Sequence, residues 1–78
     1  MIKKTNRLVI TFHTTTDAMA MESACKAAGT DGRLIPVPRS ISAGCGLAWS
    51  AKPESEQALR ALMTDAALSF QDIHICLI

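Results

Sequence analysis

The sequence has no excess of charge of either sign. Its 78 residues include eight lysines and arginines against seven aspartates and glutamates, which leaves a net charge of +1. Proteins that bind nucleic acid through its phosphates usually carry a basic face, and this balance predicts none. The small basic cluster of Lys3, Lys4 and Arg7 is typical of a solvated strand entrance. We therefore expect no nucleic-acid partner.

Long apolar runs are also missing. No stretch approaches the roughly 20 residues that a membrane-spanning helix needs, and polar residues from Lys3 to Arg7 interrupt the region where a signal peptide has its apolar core. We therefore expect no membrane partner and a cytoplasmic location. Hydrophobic residues make up 49% of the chain and charged residues 19%, as in folded proteins. This length predicts a single domain over residues 1–78.

The cysteines do not form a pairing pattern. There are three of them, Cys25, Cys45 and Cys76, and no two stand in a Cys-x-x-Cys motif. This spacing excludes the signature of a thioredoxin-type redox pair or a zinc knuckle, and an odd number is a poor disulfide framework for a secreted protein. His74 and Cys76 lie two residues apart, which supplies too few ligands for a metal. We expect no metal site and no cofactor.

The apolar pattern predicts an alternation of strands and helices. Period-two spacing indicates four strands, and helical spacing indicates two helices between them. Threonines and Asp17 favour the start of the first helix and Gly29 favours its end. The order β-α-β-β-α-β predicts an α+β, ferredoxin-like split-βαβ fold, with a four-stranded antiparallel sheet and two helices on one face. The predicted elements are Arg7–His13, Asp17–Ala28, Arg33–Pro38, Leu47–Ala51, a helix from Pro53, and Asp72–Ile78.

One face of the predicted sheet has no helix over it. Apolar residues on that face favour a homodimer through the open sheet face. Pro36 and Pro38 have no N–H to donate, which places the second strand at a sheet edge. The residues of the open face include Val9, Thr11, Cys76 and Ile78.

Three side chains each have two interpretations. Cys25 falls on the apolar stripe of the first helix, where a packed core thiol is favoured over a reactive one. Trp49 either packs in the core or lines a site near Cys45, and packing is favoured. Arg33 either pairs with Asp31 or is a solvated charge.

The most distinctive segment places one cysteine between two glycines. Cys45 lies between Gly44 and Gly46 and follows a run of small and hydroxylic residues. Glycine does not crowd its neighbours, so this thiol is expected to be accessible, unlike most cysteines. Arg39 lies upstream, and a nearby cation favours the thiolate. The pattern predicts a reactive sulfur, and a plain glycine-rich turn is the alternative.

The predicted topology brings further groups toward this cysteine. In a split βαβ fold, the ends of the first two strands, the start of the first helix and the start of the third strand share one edge of the sheet. A helix N-terminus and a cation favour a thiolate and hold small anions, and a histidine adds charge or accepts a proton. The groups expected there are His13, the amides of Thr14, Thr15 and Thr16, Arg39 and Cys45.

Three blocks of the sequence resemble a known family. They are Val9–Thr15, Arg33–Arg39 and Ser42–Ala48, and the most specific part is Pro-x-Pro-Arg followed by Ser-x-x-Cys-Gly. The blocks are similar to those of the selenium/sulfur (Se/S) carrier protein-like family, a small bacterial family, and the likeness spans nearly the whole chain. It implies one presented cysteine, at Cys45. Gly44 stands where the family more usually has serine or threonine.

The resemblance implies a carrier of sulfur or selenium. A cysteine desulfurase or a selenium-delivery donor would load Cys45 with a persulfide or selenopersulfide, and an acceptor enzyme would take it. Arg39 and the helix amides would stabilise the thiolate and the bound anion. His13 would move a proton.

Two other classes of function remain as alternatives. One is a module that binds a small anionic ligand near Arg39, with no chemistry at Cys45. The other is an interaction domain that works through its open sheet face. A stand-alone enzyme is the least favoured, because the sequence offers no carboxylate pair, no nucleophile with an orienting partner and no metal cluster.

Overall fold

The computed structural model describes residues 4–41 and 46–78. Within these ranges the chain forms four strands and two α-helices in the order β-α-β-β-α-β, which confirms the predicted ferredoxin-like α+β fold. Neither helix in these ranges is long and apolar enough to cross a bilayer. The elements are β1 (Asn6–Thr11), α1 (Thr15–Ala28), β2 (Arg33–Pro36), β3 (Leu47–Ala51), α2 (Glu56–Asp65), preceded by a 3-10 turn at Pro53–Ser55, and β4 (Asp72–Leu77).

The sheet has the strand order β2-β3-β1-β4, and all neighbouring strands are antiparallel. Because β1 and β2 are both antiparallel to β3, they run in the same direction. The register places Ile10 opposite both Trp49 and Ile73, so these three side chains share one face. β2 and β4 form the two edges, and the prediction of an edge position for the proline-bearing strand is confirmed.

Helix α1 begins two residues earlier than predicted. Thr14 has an extended backbone, and its Oγ1 accepts a hydrogen bond from the Asp17 N–H at 3.1 Å. The first of the three threonines is therefore the N-cap, and the helix starts at Thr15 rather than Asp17. Gly29 ends the helix as predicted, because its φ of 71° is left-handed and its N–H donates to the Cys25 carbonyl.

The turn between α1 and β2 is fastened to β3. Gly32 has a φ of 122°, and a Cβ atom there would collide with the indole nitrogen of Trp49 and lie 2.7 Å from the Ser50 carbonyl oxygen. The Trp49 indole donates to the Asp31 carbonyl at 3.1 Å, and the Asp31 carboxylate accepts the Lys52 N–H at 2.7 Å. Asp31 is thus bound to the backbone after β3, and the neighbouring Arg33 is exposed.

The core lies between the two helices and one face of the sheet. Ile10 and Trp49 of the sheet pack in it with Met21 of α1 and Leu59 of α2. Cys25 belongs to the same cluster and is 1% exposed. The predictions of a packed core thiol and of a packing role for the tryptophan are both confirmed.

The sheet face that carries no helix is buried at its centre rather than exposed as apolar surface. Val9 and Thr11 are each 0% exposed within the single chain, and the Arg7 Nε donates to Ser50 Oγ at 3.1 Å across the same face. The expectation that Val9 and Thr11 form exposed apolar surface is therefore wrong. A homodimer through this face stays a prediction. The large exposed apolar residues of β4 lie on the other face, and they are Ile75 and Leu77.

Candidate functional site

Strand direction brings the elements of the predicted site to one end of the sheet. The β1–β3 pairing reaches Thr11 and Ala48, and the β2–β3 pairing reaches Pro36 and Leu47. Because β1 and β2 run in the same direction, their carboxyl ends lie beside the start of β3. Helix α1 starts only a few residues after β1. We call this region the open end, and its described residues are His13, Thr14, Thr15, Arg39 and Gly46.

Gly46 marks the start of β3 at the open end. Its φ of 77° is left-handed, a conformation that costs other residues free energy, so glycine is favoured at this position. Its carbonyl accepts the Val37 N–H at 3.0 Å, which extends the β2–β3 pairing one step past the strands. Gly46 directly follows Cys45 in the sequence. Cys45 and Gly44 themselves lie outside the described residues.

His13 and Arg39 lie on opposite sides of the start of β3. Arg39 lies in a turn that is closed by a 3.0 Å hydrogen bond from the Ile41 N–H to the Pro38 carbonyl. His13 follows β1, and both side chains are exposed. Among residues 4–41 and 46–78, neither side chain makes a hydrogen bond or an ion pair. Both are therefore available to a ligand that arrives from solvent.

The N-terminus of α1 is capped by Thr14, and predicted amide donors stay free among the described residues. The Asp17 N–H is taken by Thr14 Oγ1, and the Ala18 N–H donates to the Thr14 carbonyl at 3.2 Å. In the described part of the chain this leaves the N–H groups of Thr15 and Thr16 without a partner. The Asp17 carboxylate in the first turn offsets the positive end of the helix dipole. The helix start therefore offers the Thr15 and Thr16 amides to a ligand, and the alternative of a small-anion module stays a prediction.

The two described cysteines do not provide a thiolate. Burial raises the pKa of the Cys25 thiol, and a hydrogen bond from Thr30 opposes that rise only in part. Burial also raises the pKa of the Cys76 thiol, which is half-buried on β4. Both thiols are therefore less readily ionised than an ordinary cysteine.

The remaining candidate ligands do not assemble a metal site. His74 Nε2 lies 3.8 Å from Asp72 Oδ2, an exposed contact on the edge strand. Over the described ranges, no group of three His, Cys, Asp or Glu side chains is placed to hold a metal ion.

A cavity that sequence reasoning did not predict lies at the opposite end of the sheet. Its volume is about 320 Å³. Its lining comes from α1, the turn after it, β2 and β3, so no local sequence pattern marks it. The lining residues are Glu22, Lys26, Thr30, Gly32, Arg33 and Trp49.

Comparison with known proteins identifies a family. A family model described as "Putative Se/S carrier protein-like" matches residues 7–75, from β1 into β4. The matched range includes the described open-end residues and the Gly-Cys-Gly segment. Comparisons with curated proteins and with solved structures give no match.

Proposed function

This chain belongs to the Se/S carrier protein-like family, and on that premise we propose that it carries sulfur or selenium on Cys45. The observation that supports Cys45 most is the state of the other two thiols, because burial raises the pKa of both Cys25 and Cys76. Cys45 is also the one cysteine in the Ser-x-x-Cys-Gly block. Gly46, which follows Cys45 in the sequence, has a left-handed backbone conformation that favours glycine.

The proposed step is a thiolate–persulfide exchange. The Cys45 thiolate attacks the outer sulfur of a cysteine persulfide on a donor enzyme such as a cysteine desulfurase. A new S–S bond forms to Cys45, the donor's S–S bond breaks, and the donor cysteine leaves as a thiolate with the electron pair. The outer sulfur keeps its proton, and no external oxidant or reductant is consumed. A selenopersulfide donor transfers selenium by the same balance.

The open end supplies the groups that this exchange needs. Arg39 is an exposed cation with no partner among the described residues, and it stabilises the attacking thiolate. It also stabilises the product persulfide once the outer sulfur has lost its proton to solvent. The N–H groups of Thr15 and Thr16 add donors at the same end. His13 is the proton carrier when the acceptor enzyme removes the outer atom.

Loading by a small persulfide tests the proposal. The purified protein is incubated with cysteine persulfide, and its intact mass is measured. We expect the wild type to gain one sulfur atom and Cys45→Ser to gain none. Cys25→Ser and Cys76→Ser are the matched controls, and both should load like the wild type. Normal loading of Cys45→Ser would contradict the proposal.

The role of Arg39 is tested by the pH dependence of alkylation. In a Cys25→Ser, Cys76→Ser background only Cys45 reacts with iodoacetamide. We expect Arg39→Gln to move the half-maximal rate to higher pH, because the thiolate loses a nearby cation. Arg33→Gln is the matched control, since Arg33 is also exposed but lies at the opposite end of β2. Equal profiles for the two variants would exclude a role for Arg39.

A further inference from the structure

The two edges of the sheet differ in what they offer to another strand. Thr5 and Ile78 exchange both backbone hydrogen bonds, at 3.0 Å each. Hydrogen-bonded and non-hydrogen-bonded pairs alternate along an antiparallel ladder. In β4, therefore, Ile73, Ile75 and Leu77 direct their N–H and C=O groups away from β1, toward the free edge.

The edge at β2 is closed by proline. The bond from the Val37 N–H to the Gly46 carbonyl sets the alternation there, so Leu34 and Pro36 direct their backbone groups outward. Pro36 has no N–H, and a strand cannot continue its ladder past that position without losing a bond. This edge is therefore protected against pairing.

The edge at β4 has no such protection. The strand contains no proline, lysine or arginine. The outward N–H of Ile73 is occupied by Asp72 Oδ1 at 2.9 Å. In the described part of the chain, those of Ile75 and Leu77 have no partner. Their side chains are 54% and 62% exposed, so free backbone donors and apolar surface coincide.

We propose that β4 is a dimerisation strand. Two copies of this chain pair antiparallel along β4 and join their sheets into one continuous sheet. The two-fold axis passes through Ile75, so that Ile75 faces Ile75 of the second copy and Leu77 faces Ile73. In this register every outward-directed residue meets an outward-directed residue, which is what the hydrogen-bonded pairs of an antiparallel ladder require. On pairing, the Ile73 N–H exchanges its bond to the Asp72 carboxylate for one to the Leu77 carbonyl of the second copy.

Self-complementarity identifies a second copy as the occupant. The two-fold pairing places each exposed apolar side chain against an apolar one, so both are buried together. Asp72 is the only formally charged residue in β4. The two copies of Asp72 lie at opposite ends of the new pair, roughly 20 Å apart, which is well beyond the screening length of about 8 Å. A chain with a net charge of +1 adds little repulsion.

This dimer differs from one through the open sheet face and leaves the open end accessible. Arg39 and Gly46 belong to the β2–β3 half of the sheet, on the far side from β4. The inference is independent of the proposed carrier function, since no residue of the open end takes part in the new pairing.

The test is a charge swap at the axis, followed by sedimentation equilibrium of the full chain. We expect the wild type to dimerise reversibly with concentration. Ile75→Lys and Ile75→Glu should each dissociate at least tenfold more readily, because like charges face each other across the axis. An equimolar mixture of the two variants should recover the dimer, because lysine then faces glutamate. Met19→Lys is the matched control, since Met19 is 57% exposed on α1, and it should dimerise like the wild type.

Three results would overturn the proposal. They are a wild type that stays monomeric up to about 1 mM, Ile75 variants that dimerise like the wild type, and a mixture that stays monomeric. Amide exchange of the unmodified protein gives an independent check. Exchange at Ile75 and Leu77 should slow as concentration rises, while the outward N–H of Leu34 on the other edge should not change. Exchange at Ile75 that is independent of concentration would also refute the dimer.

Discussion

The two ends of the sheet differ in how far their side chains are engaged in hydrogen bonds to the backbone. At the end opposite the open end, side chains bind backbone across long sequence separations, as in the 2.7 Å bond from the Lys52 N–H to Asp31. We call this the closed end, and its residues are Asp31, Gly32, Trp49 and Lys52. At the open end, His13 and Arg39 are exposed, and the Gly46 carbonyl accepts a backbone bond from Val37.

This difference predicts that the closed end contributes to the stability of the fold and the open end to its chemistry. Side chains at the closed end are committed to contacts that hold α1, β2 and β3 together. Among the described residues, the side chains of His13 and Arg39 at the open end make no hydrogen bond or ion pair, so they can bind a ligand without loss of internal structure. Substitutions at the closed end should therefore change the free energy of unfolding, and substitutions at the open end should change chemistry.

The largest effect is expected for Gly32→Ala. The new Cβ would meet the Trp49 indole and the Ser50 backbone in a positive-φ conformation that disfavours any side chain. We expect a loss of about 3 kcal/mol in the free energy of unfolding, measured by urea denaturation. A loss below about 1 kcal/mol would show that the closed end yields easily, and the contrast between the ends would fail.

Gly46→Ala is the matched substitution at the open end. Its φ is also positive, but a Cβ there meets nothing within 4 Å among the described residues. Only the backbone cost applies, so the expected loss is about 1.5 kcal/mol in the same urea assay. An equal loss at Gly46 and Gly32 would mean that backbone conformation, rather than contact with Trp49, dominates at both positions.

Asp31→Ala and His13→Ala form a second pair across the two ends. Removal of the Asp31 carboxylate leaves the Lys52 N–H without its acceptor, which should cost about 1 kcal/mol. Because His13 is exposed, His13→Ala should lower the free energy of unfolding by less than about 0.5 kcal/mol. Thermal unfolding of both variants measures the difference. A greater loss for His13→Ala would reverse the assignment of the two ends.

The smallest change in the free energy of unfolding at neutral pH is expected for a substitution of Cys25. This residue lies just before the closed end, where its carbonyl accepts the N–H groups of Gly29 and Thr30. Burial raises the pKa of this thiol in the folded protein. The stabilisation of the neutral thiol is thus complete below the unfolded pKa of about 8.5 and is lost as pH rises through the folded pKa. Urea denaturation between about pH 7 and pH 10 should show this loss. The loss should be smaller in Cys25→Ala, and identical slopes would contradict it.

Local features of the fold were predictable from local chemistry. Gly29 ends α1 because a left-handed residue is needed within the last turn, and Pro36 lies at an edge because it has no N–H to give a neighbour. Thr14 was within the predicted cap region, but three consecutive threonines left the first helical residue ambiguous by two positions. Each of these outcomes depends on a residue and the few that adjoin it.

Coverage of the sheet was not predictable in the same way. Period-two spacing assigns Val9 and Ile75 to opposite faces of the sheet, as observed. It predicts, however, that the face of Val9 is the exposed apolar one, whereas Val9 is buried and Ile75 is exposed. Val9 lies on a central strand and is buried within the chain, while Ile75 lies on an edge strand and is half exposed. Alternation describes the two faces of a strand but contains no information about its neighbours.

The candidate site was predictable as a set of residues and an end of the sheet, but not in its details. The sequence named His13, Arg39 and the helix start, and the topology places them at one end. It did not show that Asp31 binds the Lys52 N–H, because those residues are 21 positions apart.

The sequence by itself determined the order of elements, the C-terminal end of α1 and the burial of one thiol, since these depend on periodicity and on neighbours within a helical turn. Only the tertiary structure decided which edge of the sheet is free and which end is fastened. Strand order and contacts such as Gly32 with Trp49 join residues that are distant in the chain. These contacts stabilise the protein only when all four strands are in place, so no local sequence pattern predicts them.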